Sequence, residues 1–311
     1  MITANKKGRL TVLGAVAIGA MVALAGCASS DPLSSGDSSA SSDGDTLVIG
    51  SQQYYSNEII AELYAQALEA KGYMVDRQYQ IGQREVYLPE LESGKIDVFP
   101  EYTGNLLQYY DKDETAKSPE EVETALAAAL PSGLTALKAA AASDQDSYNV
   151  TKEFSEENDI TSLADLKDYS GTLTLGAPPE NAERPYGPPG LKSIYGVDVT
   201  STPIDDGGGP LTVKALTDGS VQLADIYTAS PLIAENDLVT LEDPENMILP
   251  QNVVPIVSDK VDSDAQDVID SVDEVLSASD LQKLNSKSQT DKESSATIAK
   301  DYLTEKGLLD S

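Results

Sequence analysis

The chain has 311 residues and carries 52 acidic against 21 basic side chains, which gives a net charge of −31. It contains no His and no Trp, and its one Cys is Cys27. Nucleophilic sites that need an imidazole, His-ligated metal sites, Cys-rich zinc sites and internal disulfides are therefore excluded. The strong negative charge repels phosphate backbones and argues against nucleic-acid binding.

The N-terminus has the pattern of a secretory signal. Lys6, Lys7 and Arg9 form a basic start, and residues 10–25 are apolar or small and uncharged. This run is shorter than the roughly 20 residues that span a bilayer. It ends at Leu-Ala-Gly-Cys27, which resembles the lipobox of bacterial lipoproteins. We therefore predict a lipoprotein signal peptide over residues 1–26 and acylation of Cys27, which anchors the chain stably in a membrane.

Residues 27–45 are mostly Ser, Asp, Gly and Ala. Such a composition cannot bury enough apolar surface to fold, so we predict a flexible tether. The sequence has no further long apolar run. It therefore places the rest of the chain on the outer face of the cytoplasmic membrane, extracellular or periplasmic and held by the lipid anchor.

From Thr46 onward, the signals of strands and helices alternate. The predicted strands cover residues 46–50, 73–79, 96–99, 172–176, 223–227 and 253–257. The predicted helices cover residues 57–70, 85–93, 118–130, 211–216, 263–276, 279–286 and 293–306. This rhythm predicts an α/β fold of mostly parallel sheets, and about 265 ordered residues exceed a usual single core, so we expect two lobes.

Ligands of open α/β sheets bind beyond the carboxyl ends of the strands. The candidate segments are therefore residues 51–55, 100–105, 177–184 and 227–230. Tyr is abundant, with 15 residues against 2 Phe, and Tyr54, Tyr102 and Tyr227 fall in these segments. Because a Tyr ring presents a negative face to a cation, several rings together can hold a quaternary ammonium group with about 0.5–2 kcal/mol per contact.

Three stretches carry a family resemblance: residues 50–54, the helix of residues 62–73, and residues 94–104 with the run Pro-Glu-Tyr-Thr-Gly. Residues 46–308 resemble the substrate-binding proteins of osmoprotectant ABC importers, which take glycine betaine, choline, carnitine and related compounds. Further matching segments follow in order at residues 184–185, 190–192, 205–215, 224–228, 252–255 and 280–285.

The resemblance implies a type II periplasmic-binding-protein fold, with two α/β lobes joined by a two-strand hinge and the ligand cleft between them. Lobe 1 would comprise residues 46–147 and 253–311, and lobe 2 residues 148–252. It also implies a monomer that binds a quaternary ammonium ligand without turnover, needs no cofactor or metal, and delivers the ligand to an ABC permease in the membrane.

Carried over position by position, the family's aromatic box falls on Tyr102, Tyr148 and Tyr227, with Tyr54 at a nearby position that is usually aromatic. The chain departs from the family at three places. Gln251 stands where a fourth aromatic residue is frequent, and Gln52 where Lys is frequent. Asn105 replaces a frequent Thr.

Glu180 and Arg184 fall where the family can pair a carboxylate with an Arg that contacts the carboxylate of the ligand. Loss of the Lys at Gln52 weakens carboxylate recognition, but Arg184 can still bind a carboxylate bidentately. Asn105 and Gln52 suit a hydroxyl equally well. The sequence therefore leaves betaine-like and choline-like ligands open.

Two weaker signals in the sequence are interpreted as structural. Residues 207–210, Gly-Gly-Gly-Pro, are interpreted as a turn before a helix, and the adjacent acids Asp205 and Asp206 as solvated or capping residues.

Three alternative functions stay open. They are a receptor of the same fold for another small amine or amino acid, an extracellular hydrolase that uses Asp205, and an adhesive surface protein. The lack of His and of metal ligands argues against the hydrolase.

Overall fold

The computed structural model describes residues 46–309, so the predicted signal peptide, Cys27 and the tether of residues 27–45 lie outside the described residues. Within residues 46–309, none of the helices combines the length and the apolar character that crossing a lipid bilayer requires. Two five-stranded sheets, each covered by helices, divide this part of the chain into two lobes.

Lobe 1 is built on a sheet with the strand order β2-β1-β3-β10-β4, numbered along the chain. Its strands are β1 (Thr46–Gly50), β2 (Met74–Gln78), β3 (Val98–Tyr102), β4 (Leu134–Ala136) and β10 (Val253–Ser258). Its helices are α1 (Tyr55–Ala70), α2 (Arg84–Glu92), α3 (Thr103–Tyr110), α4 (Pro119–Ala129), α9 (Ser263–Val275), α10 (Ala278–Gln289) and α11 (Ser295–Glu305).

Lobe 2 is built on a sheet with the order β7-β6-β8-β5-β9. Its strands are β5 (Tyr148–Thr151), β6 (Thr174–Ala177), β7 (Thr200–Pro203), β8 (Leu223–Asp225) and β9 (Leu238–Thr240). Its helices are α5 (Lys152–Asn158), α6 (Pro188–Gly190), α7 (Pro210–Thr217) and α8 (Leu232–Glu235), with 3₁₀ turns at Asp165–Asp168 and Pro179–Glu183 and a π turn at Leu191–Tyr195.

The chain passes between the two sheets twice, over residues 137–147 and 241–252. The two passages lie side by side, because Ser143 and Asn252 form an antiparallel bridge. The hydroxyl of Ser143 also donates to the carbonyl oxygen of Gln251 at 3.0 Å. The predicted architecture of two α/β lobes joined by a two-strand hinge is therefore confirmed.

Four of the five strands in each sheet run in the same direction, as predicted, but the fifth strand, β10 or β5, runs against its neighbours and makes both sheets mixed. β1 pairs in parallel with β2 and β3, and β6 with β7 and β8, but β10 is antiparallel to β3 and β4, and β5 is antiparallel to β8 and β9. The hinge causes this, because β5 and β10 each begin directly after the chain has crossed. They enter their sheets from the edge at which the parallel strands end.

The shortest elements and α3 were not predicted. The strands β4, β5, β7 and β9 have only three or four residues, too few for an alternating pattern to be recognised. β6 and β8 are equally short, but they were predicted from the longer runs 172–176 and 223–227. Helix α3 begins at Thr103 and contains Gly104, two residues that do not favour a helix. Both kinds of element are formed by their packing in the lobes rather than by local sequence.

Helix α1 forms the centre of the lobe 1 core and packs against α9, α10 and α11. Its residues Ile60, Leu63 and Tyr64 are fully buried. The hydroxyl of Tyr64 donates to Asp273 Oδ1 of α9 at 2.8 Å. Burial raises the pKa of the Asp273 carboxyl well above its usual range. The core of lobe 1 therefore contains a buried hydrogen bond between Tyr64 and Asp273, and water cannot replace either partner there.

We expect Tyr64→Phe to lower the free energy of unfolding by about 1–3 kcal/mol, because it leaves the buried Asp273 without its donor. Tyr73→Phe is the matched control, because the hydroxyl of Tyr73 donates to Asp262 at the surface at 2.9 Å. It should cost less than about 0.5 kcal/mol. Urea unfolding of both variants measures the difference, and equal losses would contradict the importance of the buried pair.

Candidate ligand-binding site

The ends of β1, β3 and β8 and the residues after β6 border a cavity between the two lobes. Each of the four segments predicted from the strand ends contributes a residue to its lining, and the hinge adds Gln251. The predicted site residues that line the cavity are Gln52, Tyr54, Tyr102, Asn105, Glu180, Arg184, Tyr227 and Gln251.

Tyr148 is the predicted site residue that does not line this cavity. Its side chain belongs to the core of lobe 2, and its hydroxyl donates to the carbonyl oxygen of Tyr186 at 2.6 Å. Tyr186 does line the cavity. The position of Tyr148 thus suits support of Tyr186 from behind, while Tyr186 and Tyr227 are the tyrosines that lobe 2 brings to the cavity.

Three tyrosine rings form a continuous wall across the two lobes. The ring centroids of Tyr54 and Tyr102 lie 6.4 Å apart, and those of Tyr54 and Tyr227 lie 5.1 Å apart. At such distances neighbouring rings contact each other. The space left beside the wall is about 20 Å³, which is room for about one water molecule. A ligand with a trimethylammonium group therefore needs the lobes to move apart before it can enter.

Two polar contacts hold the lobes together at the rim of the cavity. Arg184 of lobe 2 contacts Glu85 of α2, with 2.9 Å between Nη2 and Oε1. Gln53 Nε2 donates to Asp205 Oδ1 at 2.6 Å. Glu180 is not the ion-pair partner of Arg184 among the described residues, because Arg184 forms its ion pair with Glu85 across the cleft. Its guanidinium is thereby engaged by the other lobe.

The Pro-Glu-Tyr-Thr-Gly run is fixed by the buried carboxylate of Glu101. Arg84 donates to it bidentately, with 2.9 Å from Nε to Oε1 and 2.7 Å from Nη2 to Oε2. The hydroxyl of Tyr87 and the backbone N–H of Tyr102 also donate to it. Because Glu101 is fully buried, all of its bonds come from the protein, and they fix the backbone that carries Tyr102.

Gly104 of the same run lies against the hinge. A Cβ at this position would come within 2.6 Å of Leu249 Cβ and of the carbonyl oxygen of Pro250. The N–H of Gly104 donates to that carbonyl at 2.9 Å. A residue without a side chain is therefore required where α3 begins beside the second passage of the hinge.

Asn57 connects two other parts of the site. Its Oδ1 accepts from the N–H of Gln52 at 2.8 Å, and its Nδ2 donates to the carbonyl oxygen of Pro100 at 2.9 Å. The same Nδ2 lies 3.5 Å from the hydroxyl of Tyr102. The turn after β1 and the end of β3 are thus held in a fixed relation.

Three buried carboxyls line the cavity and were missed from the sequence: Asp144 and Asp146 in the hinge, and Asp225 at the end of β8. Burial raises the pKa of Asp144 to about 6, although hydrogen bonds from Ser56 and from the N–H of Ala229 oppose the shift. Burial, and next the charge of Asp146, raise the pKa of Asp225 well above its usual range. The sequence offered one signal for Asp225, because it lies two residues before the predicted site residue Tyr227 in the run Ala-Asp-Ile-Tyr.

The weaker sequence signals have structural roles. Asp206 accepts hydrogen bonds from the N–H groups of Leu211 and Thr212 at the start of α7, at 2.6 and 3.3 Å. The predicted turn before this helix is confirmed. Gly208 has a φ of +71°, and a Cβ there would lie 2.8 Å from Ile226 Cα. Within residues 46–309, no group of three or more acidic, His or Cys side chains is arranged to hold a metal ion.

The comparisons with known proteins agree with this geometry. Residues 45–305 match the family model described as the substrate binding domain of an ABC-type glycine betaine transport system. The chain is 27% identical over 274 residues to the glycine betaine-binding protein YehZ of Escherichia coli K12, covering 83% of this chain and 90% of that protein. It is 26% identical over 282 residues to a glycine-betaine-binding protein of Pseudomonas aeruginosa, covering 86% and 89%.

Among solved structures, the fold is similar to that of a glycine betaine/carnitine/choline ABC transporter protein, with a TM-score of 0.68 and 21% identity. The similarity covers 85% of this chain and all of the other. The predicted type II periplasmic-binding-protein fold is confirmed. The chain belongs to the family of substrate-binding domains of ABC-type glycine betaine transport systems.

Proposed function

We propose that this protein is the extracytoplasmic receptor of an ABC importer and binds a quaternary ammonium osmoprotectant, such as glycine betaine, choline or carnitine, in the cleft between its lobes. The observation that carries the proposal is the wall of Tyr54, Tyr102 and Tyr227 beside buried carboxyls. Family membership and the glycine betaine-binding relatives support it.

A methylated ammonium suits this cavity for two reasons. It cannot donate strong hydrogen bonds and is weakly hydrated, so the faces of aromatic rings replace water at low cost. Its positive charge also compensates Asp144, Asp146 and Asp225, whereas Arg84 and Arg184 are already engaged by Glu101 and Glu85. The tyrosine wall spans both lobes, so a bound cation favours the closed arrangement.

The protein acts in this proposal by binding and release and not as an enzyme. Lobe closure around the ligand would present the closed form to the permease, which then receives the ligand. We further propose that Cys27 carries the lipid anchor, that residues 27–45 tether the lobes to the outer face of the cytoplasmic membrane, and that the protein works as a monomer without cofactor or nucleic acid.

Titration calorimetry of the purified protein against glycine betaine, proline betaine, carnitine and choline tests the proposal. We expect saturable binding of at least one compound in the micromolar range, with no change of the ligand, because three or four ring contacts supply affinities of this order. Lack of binding by all four compounds, or chemical conversion of any of them, would contradict it.

We expect Tyr102→Ala and Tyr227→Ala each to weaken binding by about two- to thirtyfold, which corresponds to the loss of one ring contact of about 0.5–2 kcal/mol. Tyr73→Ala is the control, because this partly exposed residue lies outside the cavity. Calorimetry on folded variants gives the dissociation constants. Unchanged affinity of both cavity variants would show that the rings do not hold the cation.

We expect the affinity for a quaternary ammonium to fall by about three- to tenfold between pH 7.5 and pH 5. The Asp144 carboxyl has a pKa of about 6 and lines the cavity beside Asp146 and the tyrosine wall. A bound cation favours its ionised form, so binding is strongest above this pKa and weakens as Asp144 is protonated. Asp144→Asn should reduce this dependence, and an affinity that rises towards pH 5 would contradict the assignment.

A further inference from the structure

One corner of the cavity is formed by polar side chains linked to one another. Asn105 Nδ2 donates to Asp146 Oδ2 at 2.7 Å, and Asn181 Nδ2 donates to Asp225 Oδ2 at 3.2 Å. Burial, and next the nearby Asp146, raise the pKa of the Asp225 carboxyl well above its usual range. The N–H of Asp146 donates to Gln251 Oε1 at 3.4 Å. We call these five residues the polar corner.

The polar corner contains more free acceptors than free donors. Asn105 Oδ1, Asn181 Oδ1 and Asp225 Oδ1 are buried acceptors without a hydrogen-bond partner among the described residues. Gln251 Nε2 in the corner and Gln52 Nε2 elsewhere in the cavity lining are buried donors without one. Each of these side chains is less than a tenth exposed and lines the cavity. Because buried polar atoms in folded proteins are normally hydrogen-bonded, this arrangement indicates a ligand group that donates.

The charges in and around the polar corner also favour a donating group over a carboxylate. Asp146 and Asp225 belong to it, and Asp144 and Glu180 line the same cavity. The nearby Arg184 is bound by Glu85, and Arg84 by Glu101. A ligand carboxylate placed in the corner would therefore meet carboxyl groups without a free cation to offset the repulsion.

We propose that the polar corner binds a hydrogen-bond-donating group of the ligand, a hydroxyl or a protonated amine, and disfavours a carboxylate. This inference rests on the proposed function, in which the tyrosine wall holds the methylated ammonium. It predicts a preference among the ligands that the proposed function names without ranking. Choline carries a donor at the end opposite its ammonium group, whereas glycine betaine carries a carboxylate there. Asp225 Oδ1 is the buried carboxyl oxygen of the corner without a partner, and the charge of Asp146 beside it attracts a donating group.

The first test compares ligands on the unaltered protein by calorimetry. Choline should bind at least about tenfold more tightly than its O-methyl ether, which lacks the donor, and more tightly than glycine betaine. The compound (2-aminoethyl)trimethylammonium distinguishes the two donors. Binding tighter than that of choline assigns the corner to a protonated amine, and weaker binding assigns it to a hydroxyl.

The second test removes the charge of the corner with little change of shape. In the double variant Asp146→Asn and Asp225→Asn, the preference for choline over glycine betaine should shrink by about tenfold. The control is the double variant Asp168→Asn and Asp301→Asn, which changes two exposed aspartates. If the cavity variant does not fold, the ligand series on the unaltered protein still decides.

Equal binding of choline and its O-methyl ether would overturn the inference, and so would binding of glycine betaine as tight as that of choline. In both cases the proposed function stands, because a quaternary ammonium is still bound. Lack of binding by glycine betaine, proline betaine, carnitine and choline would instead overturn the proposed function, and the inference with it.

Discussion

The hinge determines where the cavity between the lobes lies. Its two passages run side by side through the bridge between Ser143 and Asn252, so the lobes can move apart without losing their connection. The same passages carry Asp144, Asp146 and Gln251 into the cavity. They also deliver β5 and β10 to their sheets from the cleft side, which makes these strands antiparallel to their neighbours. A single constraint, a chain that crosses twice, thus determines the direction of β5 and β10, the position of the cleft and part of its chemistry.

The ion pairs around the cavity determine its net charge. The arginines near the cavity are bound by Glu101 and Glu85, so the protein itself offers little positive charge to the three aspartates of the cleft. Buried carboxyls in this situation hold protons more strongly, as the raised pKa values of Asp144 and Asp225 indicate. A cationic ligand supplies the missing charge. In the proposed function, selection for a cation would therefore come from the whole cavity, and the tyrosine rings would add selection for a methylated one.

The sequence alone predicted the strands that border the cleft and most of the residues at their ends, because these strands are apolar runs followed by polar and aromatic residues. The reversed direction of β5 and β10 was not predicted, since strand direction depends on the crossings of the chain, which local patterns do not record. Tyr148 was predicted for the site by family resemblance, yet the structure places it in the core of lobe 2 behind Tyr186. Asp146 and Asp225 were missed because their significance lies in their proximity, and they are far apart in the sequence.

The strand order of lobe 1 also affects the order in which the lobes can fold as the chain emerges from its N-terminus. The strands of lobe 2 lie in one continuous stretch between Tyr148 and Thr240, whereas β10 lies between β3 and β4 of lobe 1 and is made after all of them. The helices that cover α1 follow later still. Lobe 2 can therefore complete its sheet first, while lobe 1 keeps the apolar surface of α1 exposed until the end of the chain is available. The inserted lobe can thus complete its sheet before the lobe whose sequence begins first.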